Sequence, residues 1–568
     1  MRIVKGLCLV VFLAVFLQAV YVRYSLIGWR PINVDEPFFW QNAYRLMDGQ
    51  KPYVDYFEPK VPLLHYLMLP AIRAVFEPTQ VYILLRTANL LMIVISSALL
   101  FAMLFRHFGA IPATFALAVW NSFTYFVSRP DFRLNNPMHM FILASCWLLL
   151  EGIAKRRRLM VALGGAVFGF ALLTKQIALL FFVAAALFVA LYHAFGRGDG
   201  RAGRAIADLL AFGLAAFATF WLSFWLMLGT DAIDGFVRML KTFLLFGMHE
   251  RLTAHSHHTA LYVRNTLVPN ALAWAAVALS IAYANYLVFV RRRAHPLFLM
   301  LTVLADFSIL YLFLRGSIFE QTFFHAFLFG SALCAGVLWH LASKSRNKAA
   351  VYAIGLMAVA ASQAMFWPDF TRRVRAMRMG IEGNEQVFAR ATDLDANGFF
   401  KSADAARKWF QTNYWPYHAA YEAIDLPRSF ERMRLVESVA GFNTYSLSYA
   451  NYELFPRQPF GLFYYDFAKI ALELKRTDEH GRHCDTIRYY NPLVCWDGAD
   501  FEEKVVMWLE AYEPEVLVLD EDFGRDMFAY DGLFEFMKNN YRFYLCRRCM
   551  ALVAVRNDLV DRIANGAR

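Results

Sequence analysis

Ionisable side chains are concentrated in the loop between the first two long apolar stretches, at residues 26–79. Asp35 and Glu36 stand just before the aromatic stretch "PFFW", a pattern typical of a helix start, where the helix dipole favours carboxylates. A carboxylate held beside a membrane is also a candidate functional group. Lys60, in "YFEPKVPLL", lies where an ammonium group can meet a lipid phosphate or simply extend to the headgroups.

A second charged motif is the link "SRPDFRLNNP" at residues 128–137. Asp131 stands there between Arg129 and Arg133, and a plain arginine–aspartate surface pair is an adequate alternative explanation. The link is too short to move far from the two apolar segments that it joins. Its charges therefore stay at the membrane surface, where ionisable groups are candidates for function.

A very hydrophobic chain must position these groups. Of its 568 residues, 59% are hydrophobic and 17% aromatic, values that soluble globular proteins rarely reach. Much of the net charge of +11 lies in short clusters between apolar segments, as in the cytoplasmic loops of membrane proteins. The sequence therefore predicts a polytopic α-helical membrane protein and does not predict nucleic acid as a partner.

About eleven apolar segments are candidate membrane spans. They lie near 4–25, 80–105, 110–128, 134–154, 159–174, 177–195, 206–228, 269–290, 296–314, 322–342 and 349–367. The first resembles a signal peptide, but it lacks an obvious small-residue cleavage site and is predicted to be retained. With the N-terminus in the cytoplasm, all five loops on that side are basic, as the positive-inside rule requires. Those loops are 106–107, 155–158, 196–204, 291–293 and 344–348.

The composition changes near residue 369, after which charged residues are frequent. We therefore predict a transmembrane domain at 1–368, with large outer loops at 26–79 and 229–268, and a soluble extracytoplasmic α/β domain at 369–568. Within the second domain, "EVLVLD" predicts a short buried strand, and "RFYLCRRCMALVAVR" predicts a strand or hairpin.

Four cysteines fall in the predicted outer domain: Cys484, Cys495, Cys546 and Cys549. An even number in an oxidising compartment favours two disulfides, for example Cys484–Cys495 and Cys546–Cys549. Free thiols and a four-cysteine zinc site stay open as alternatives, although the first spacing is unlike that of a zinc ribbon.

Taken in order, these motifs resemble those of the GT-C glycosyltransferases that use lipid-linked sugars. The pattern is similar to the protein O-mannosyltransferase-like group and to the bacterial aminoarabinose transferases of lipid A. The matching elements are "DE" at Asp35-Glu36, "YFEPKVPLL" with Tyr56, Glu58 and Lys60, "RPDF" with Asp131, and "GFALLTKQ" with Lys175. The resemblance covers most of residues 1–370 loosely and the outer domain only in architecture.

The resemblance implies a GT-C fold and the transfer of a sugar from a polyprenyl-phosphate donor, with inversion. It implies Asp35 as the general base, and Glu36 and Asp131 as groups that orient the acceptor or the loop. Lys60, with Arg129 or Arg133, would stabilise the leaving phosphate.

Further residues are weaker candidates for this site. Glu320 and His325 either line the donor cavity or form a structural pair. His255, His257 and His258 in "MHERLTAHSHHT", with Glu58, either hold a divalent metal or are solvated loop residues. No other cofactor is predicted.

The implied partners are the lipid-linked donor, membrane lipids, and an acceptor that is lipid A, another envelope glycan or a protein. The implied location is the bacterial inner membrane, with the outer domain in the periplasm. A transporter or lipid flippase is the main rival function, and a non-catalytic scaffold is another. The absence of two related halves and the grouping of charges on one face disfavour the transporter.

Overall fold

The computed structural model describes residues 2–28, 42–43, 46–47, 49, 51–54, 60–74, 78–129, 132–195, 201–237, 240, 264, 266–292, 295–314, 322–396, 398–413, 439–442, 506, 509–510, 513, 515–519, 531–546 and 551–560. Up to residue 389 the described secondary structure is almost entirely helical. A four-stranded sheet lies closer to the C-terminus.

The helices of the first part pack as one bundle. They are α1 (Arg2–Leu26), α2 (Leu63–Arg73), α3 (Pro78–Phe108), α4 (Ala110–Trp120), α5 (Thr124–Val127), α6 (Asn135–Ala154), α7 (Arg158–Thr174), α8 (Ala178–Phe195), α9 (Arg201–Leu228), α10 (Ala271–Asn285), α11 (Pro296–Leu314), α12 (Phe323–Lys344) and α13 (Lys348–Ala389). A 3₁₀ turn, Val268–Asn270, precedes α10, and a π-helical turn, Tyr286–Val290, continues it.

Nine helical segments in the described part of the chain are long and apolar enough to cross a membrane. Two further apolar helices, α4 and α7, are shorter. Together they correspond to the eleven segments predicted from the sequence, and the prediction of a multi-pass helical membrane protein is confirmed. Glycine lets α7 and α9 approach closely, because a Cβ on Gly165 would overlap the carbonyl oxygen of Phe212.

The third predicted span, 110–128, is divided in the structure. Helix α4 ends at Trp120, and the short α5 begins at Thr124. Between them Asn121 and Ser122 bond with their own side chains to the carbonyl oxygens of Leu117 and Ala118, both at 2.8 Å. Irregular backbone at membrane depth is tolerated where it is buried in protein, and Asn121 and Ser122 are buried.

Helices α3, α6 and α12 end together at one end of the bundle, which we call the basic end. There Arg106 Nε and Lys155 Nζ bind the two carboxylate oxygens of Glu151 at 2.8 and 2.7 Å. The rings of Phe108 and Trp339 lie 5.2 Å apart at the same end. Helices α1, α4 and α7 end at the other end of the bundle, which we call the opposite end.

The C-terminal part contains α14 (Ala403–Thr412), α15 (Asp531–Asn540) and strands β1 (Val439–Phe442), β2 (Val516–Leu519), β3 (Tyr541–Cys546) and β4 (Ala551–Arg556). The sheet order is β1-β2-β4-β3, with β1 parallel to β2 and the other pairs antiparallel. The predicted strand "EVLVLD" contains β2, and the predicted hairpin is β3–β4. Helix α13 runs unbroken past residue 368, and Phe388 near its end packs on Trp409 of α14. The boundary between the two domains stays a prediction.

Candidate active site

A small cavity lies at the opposite end of the bundle, and we call it the site cavity. Its volume is about 30 Å³. It is bordered by the end of α1, the link after α5, and the starts of α6 and α12. The lining residues are Arg23, Ile93, Tyr125, Phe126, Arg129, Arg133, Asn135, Asn136 and Phe324. Three guanidinium groups and two amides therefore surround one cavity in an apolar bundle.

Arg23 is the most deeply buried charge of this cavity, with 2% of its surface exposed. Its Nη1 donates to Oδ1 of Asn121 at 2.7 Å, and its Nε has no hydrogen-bond partner within the described residues. A neutral amide does not compensate the charge of a guanidinium, and burying an uncompensated ion costs several kcal/mol. Arg23 therefore has both a free donor and unneutralised charge beside the cavity.

Arg129 and Arg133 come from the link that the sequence singled out. The guanidinium of Arg129 lies over the ring of Tyr125, 4.5 Å from its centre, which fixes its direction. Arg373 of α13 approaches the same ring at 5.8 Å, but its Nε is bound to Asp369 at 2.8 Å. The structure thus brings both predicted arginines to one cavity.

The two asparagine side chains that line the cavity are hydrogen-bonded to residues outside it. Lys175, which follows the last residue of α7, donates from Nζ to Oδ1 of Asn135 at 2.6 Å. The Nδ2 of Asn136 donates to Oδ1 of Asn89 on α3 at 2.7 Å. Lys175, a predicted pocket residue, therefore does not line the cavity, but its charged group contacts a residue that does.

His325 lies behind the cavity, next to the lining residue Phe324. It is almost fully buried, and its Nδ1 is 2.7 Å from Nε2 of His139. The two rings therefore form a hydrogen bond in which one nitrogen donates and the other accepts. Successive residues of a helix point about 100° apart, so Phe324 faces the cavity and His325 does not. One partner of His325 is thus a histidine of α6.

Lys60 precedes α2, and its carbonyl oxygen accepts a hydrogen bond from the hydroxyl of Tyr53. Val61, the next residue, is buried in the same apolar cluster as Phe132 of the link. The first loop therefore reaches the neighbourhood of the link, although Lys60 is not among the residues that line the site cavity.

Further contacts fix the first loop and α2 at this end. Lys51 Nζ binds Oδ2 of Asp231 at 2.8 Å, and this hydrogen bond lowers the pKa of that carboxyl. On α2, the hydroxyl of Tyr66 donates to the carbonyl oxygen of Met227, and burial raises the pKa of Tyr66 to about 12. Tyr66 is therefore neutral at physiological pH and acts as a hydrogen-bond donor.

The remaining predicted site residues lie outside the described residues. They are Asp35, Glu36, Tyr56, Glu58, Asp131, His255, His257, His258 and Glu320, together with Cys484, Cys495 and Cys549. Cys546 is the last residue of β3. In the part of the chain that the structure describes, no group of three or more metal-binding side chains comes together. The metal and disulfide assignments stay predictions.

Arg23 was missed by the sequence reasoning, which treated α1 only as a retained anchor. The signal was present, since an arginine in the last turn of an apolar helix is costly in a membrane and needs an explanation. His139 carried no comparable signal, because its partner is 186 residues away.

Part of the chain matches a known protein family. Residues 60–225 match the family model described as dolichyl-phosphate-mannose-protein mannosyltransferase. The matched region contains Lys60, the link 128–137 and Lys175. Among curated protein sequences, none matches the chain. The family match confirms the predicted glycosyltransferase resemblance and, with the apolar helices, the enzyme class: a glycosyltransferase embedded in a membrane.

The chain is also similar to solved structures. One is ArnT from Cupriavidus metallidurans bound to undecaprenyl phosphate, with 14% identity and a TM-score of 0.49 over 97% of this chain and 98% of that chain. Another is the apo oligosaccharyltransferase of Archaeoglobus fulgidus, with 12% identity and a TM-score of 0.47 over 94% of this chain and 73% of that chain. Both scores are below 0.5, so the likeness is coarse.

Proposed function

We propose that the chain moves a sugar from a polyprenyl-phosphate donor to an acceptor hydroxyl, with inversion at the anomeric carbon, at the opposite end of the bundle. The observation that carries this proposal is the placement of three guanidinium groups around one cavity between apolar helices. The family match over residues 60–225 supports the same class of reaction.

A lipid phosphate is the ligand that the site cavity fits best. Guanidinium groups bind phosphate oxygens through paired N–H bonds and keep their charge in poorly hydrated surroundings. Arg23 offers an unused N–H, and Arg129 and Arg133 line the same space. Lys60 is proposed as a further phosphate contact from the first loop, and Lys175 as a group that holds Asn135 in place.

The bond changes are those of a direct displacement. The acceptor oxygen forms a bond to the anomeric carbon, while the bond from that carbon to the phosphate oxygen breaks and its electron pair leaves on the phosphate. The arginines stabilise the growing charge of the leaving phosphate, because their donors are already oriented before the reaction. A phosphate is a weak base, so its departure needs no carboxylic acid to protonate it.

Asp35 is the proposed general base, which takes the proton of the acceptor hydroxyl as the new bond forms. A single displacement with one base inverts the anomeric centre. Glu36 and Asp131 are proposed to orient the acceptor or the loop. Asp131 is two residues from both Arg129 and Arg133 in the sequence, so it belongs to the link that borders the cavity.

The proposed location is the outer face of a bacterial inner membrane, because the basic loops of the other end favour the cytoplasm. The acceptor is lipid A, another envelope glycan or a protein. The family description names a mannose donor and a protein acceptor, which makes that pair the first to test.

The experiment uses the purified full chain with radiolabelled undecaprenyl-phosphate-linked sugars, mannose first, and an extract of envelope glycolipids and proteins as acceptor. Asp35→Asn is expected to lower the rate of sugar transfer by about 10²- to 10⁴-fold, the usual contribution of a general base. The matched control is Asp48→Asn, which changes another carboxylate of the same loop and is expected to retain the wild-type rate.

Wild-type transfer by a correctly folded Asp35→Asn variant would leave the proposal without its base. Movement of the labelled lipid across vesicles, without release of its sugar, would instead favour the flippase. Comparing the envelope glycans of cells with and without this chain identifies the acceptor.

A further inference from the structure

A second and larger cavity lies at the basic end of the bundle, far along the helices from the site cavity. Its volume is about 850 Å³, and we call it the basic-end cavity. It is bordered by the end of α6, the start of α7, the end of α8, and the starts of α9 and α11. The lining residues are Ile153, Ala154, Arg156, Arg158, Tyr192, His193, Phe195, Arg201, Arg204, Asp208, Arg292, Pro296 and Leu299.

Five arginines and a single carboxylate line this cavity. The carboxylate, Asp208, is engaged by Nε2 of His193 at 2.9 Å. No ion pair with another described residue is formed by Arg156, Arg158, Arg201 or Arg292, and Nε of Arg201 is buried without a hydrogen-bond partner among those residues. The cavity is therefore strongly positive, and its one carboxylate is already in use.

Two other cations at the same end of the bundle, Arg106 and Lys155, are neutralised. Arg106 and Lys155 bind Glu151 at 2.8 and 2.7 Å, although each is about half exposed to solvent. Among the described lining residues, the five arginines thus face one carboxylate, Asp208. Loops that only satisfied the positive-inside rule would not need to gather arginines around one concave surface.

The cavity lies where helices end and begin, and two of its arginines have positive φ angles. Arg156 and Arg292 have φ angles of 54° and 50°, in the left-handed region that residues with a Cβ rarely adopt. For Arg156 this conformation belongs to the ending of α6, where the N–H groups of Arg156 and Arg157 bond to the carbonyl oxygens of Ile153 and Gly152. Helices α7, α9 and α11 begin at the cavity, but α6 and α8 end there, so the helix dipoles largely cancel and the side chains supply the positive charge.

Apolar surface adjoins the charged cavity. Phe195 lines it and is 37% exposed, and on α9 the side chains of Ile206 and Leu210 are 58% and 54% exposed. A ligand that fits both surfaces has a phosphate group and a hydrocarbon part. Basic pockets between helix ends bind the headgroups of anionic lipids in this way.

We propose that the basic-end cavity is a binding site for the phosphate headgroup of an anionic membrane lipid, separate from the transfer site. The arginines bind the phosphate oxygens, and the lipid chains lie along the exposed apolar face of α9. This site stands independently of the proposed transfer reaction, since it involves different residues at the other end of the bundle.

The test uses native mass spectrometry of the full chain in detergent, titrated with dioleoyl phosphatidic acid, dioleoyl phosphatidylcholine or inorganic phosphate. The variant Arg201→Gln/Arg292→Gln removes two cavity arginines. The control Lys344→Gln/Arg346→Gln removes two exposed cations from another loop at the same end. A second variant, Arg158→Gln/Arg292→Gln, changes only exposed arginines and serves if the first does not fold.

The wild type is expected to bind phosphatidic acid in preference to phosphatidylcholine. The cavity variants are expected to lose about 10- to 30-fold in affinity for phosphatidic acid, and the control variant to keep it. Equal losses in cavity and control variants would mean general surface attraction and would overturn the site. If inorganic phosphate binds as tightly as phosphatidic acid at equal concentration, the ligand is free phosphate, and the proposal of a lipid headgroup is overturned.

Discussion

Two buried charged side chains, Glu151 at the basic end of the helical bundle and Arg23 at the opposite end, have opposite surroundings. At the basic end, Glu151 is 5% exposed and is bound by two cations, Arg106 and Lys155. At the opposite end, Arg23 is 2% exposed and is bound by one neutral amide, with a donor to spare. Removing one partner of a buried ion pair is destabilising, whereas a buried charge without a counter-ion already costs stability. We attribute the retention of Arg23 to the binding of an anion.

The largest expected effect comes from removing the unneutralised charge. Arg23→Met keeps the length of the side chain but not its charge. Because no described carboxylate loses a partner, we expect the thermal denaturation midpoint in detergent to stay unchanged or to rise. We expect the rate of sugar transfer to fall by about 10²-fold, as for the loss of one oriented donor at a developing anion.

Arg23→Lys is the matched variant, since it restores the charge without the guanidinium fork. This variant is expected to recover part of the transfer rate. The loss that remains is expected mainly in the rate at saturating donor. A clear loss of stability in Arg23→Met, with transfer intact, would make Arg23 a structural residue and remove the contrast between the two ends.

A smaller and opposite effect is expected at Glu151. Glu151→Gln keeps the shape of the side chain but removes its charge and one of the two oxygens that accept from Arg106 and Lys155. Both cations are half exposed and can be solvated. We expect the free energy of unfolding in detergent to fall by about 1–2 kcal/mol, as for charged hydrogen bonds. The rate of sugar transfer per folded molecule is expected to stay at the wild-type value, and a large loss would place the basic end in the reaction.

The smallest effect concerns the exposed pair of Lys51 and Asp231, which ties the first loop to the segment after α9. Lys51 lowers the pKa of Asp231, so the stabilisation is present above about pH 4, the ordinary range for aspartate, and disappears as the pH falls through the lowered pKa. The difference in denaturation midpoint between wild type and Asp231→Asn should be small at pH 7 and vanish at low pH and in high salt. A difference that grows on acidification would contradict this assignment.

Much of the fold follows from the sequence, because a membrane helix needs about 20 apolar residues and the chain repeats that length between basic loops. The break between α4 and α5 was not predicted, since the apolar run continues through it and only the side-chain bonds of Asn121 and Ser122 end the helix. The length of α13 was not predicted either, because charged residues after residue 368 change composition without interrupting a helix.

The candidate site was predictable where charges are adjacent in the sequence. Arg129 and Arg133 stand close together in a short link, and both line the site cavity. Lys175 was found through family resemblance, while its bond to Asn135 joins residues 40 positions apart. Arg23 could not be joined to the same site from the sequence, because only tertiary packing brings the end of α1 against Asn121.

The most direct test of the central claim is an experimental structure of the full chain with undecaprenyl phosphate bound. We predict density for the phosphate in the site cavity, within hydrogen-bond distance of Arg23 and of Arg129 or Arg133. A phosphate bound elsewhere on the bundle, with the three guanidinium groups closed off by a carboxylate of the chain itself, would contradict it.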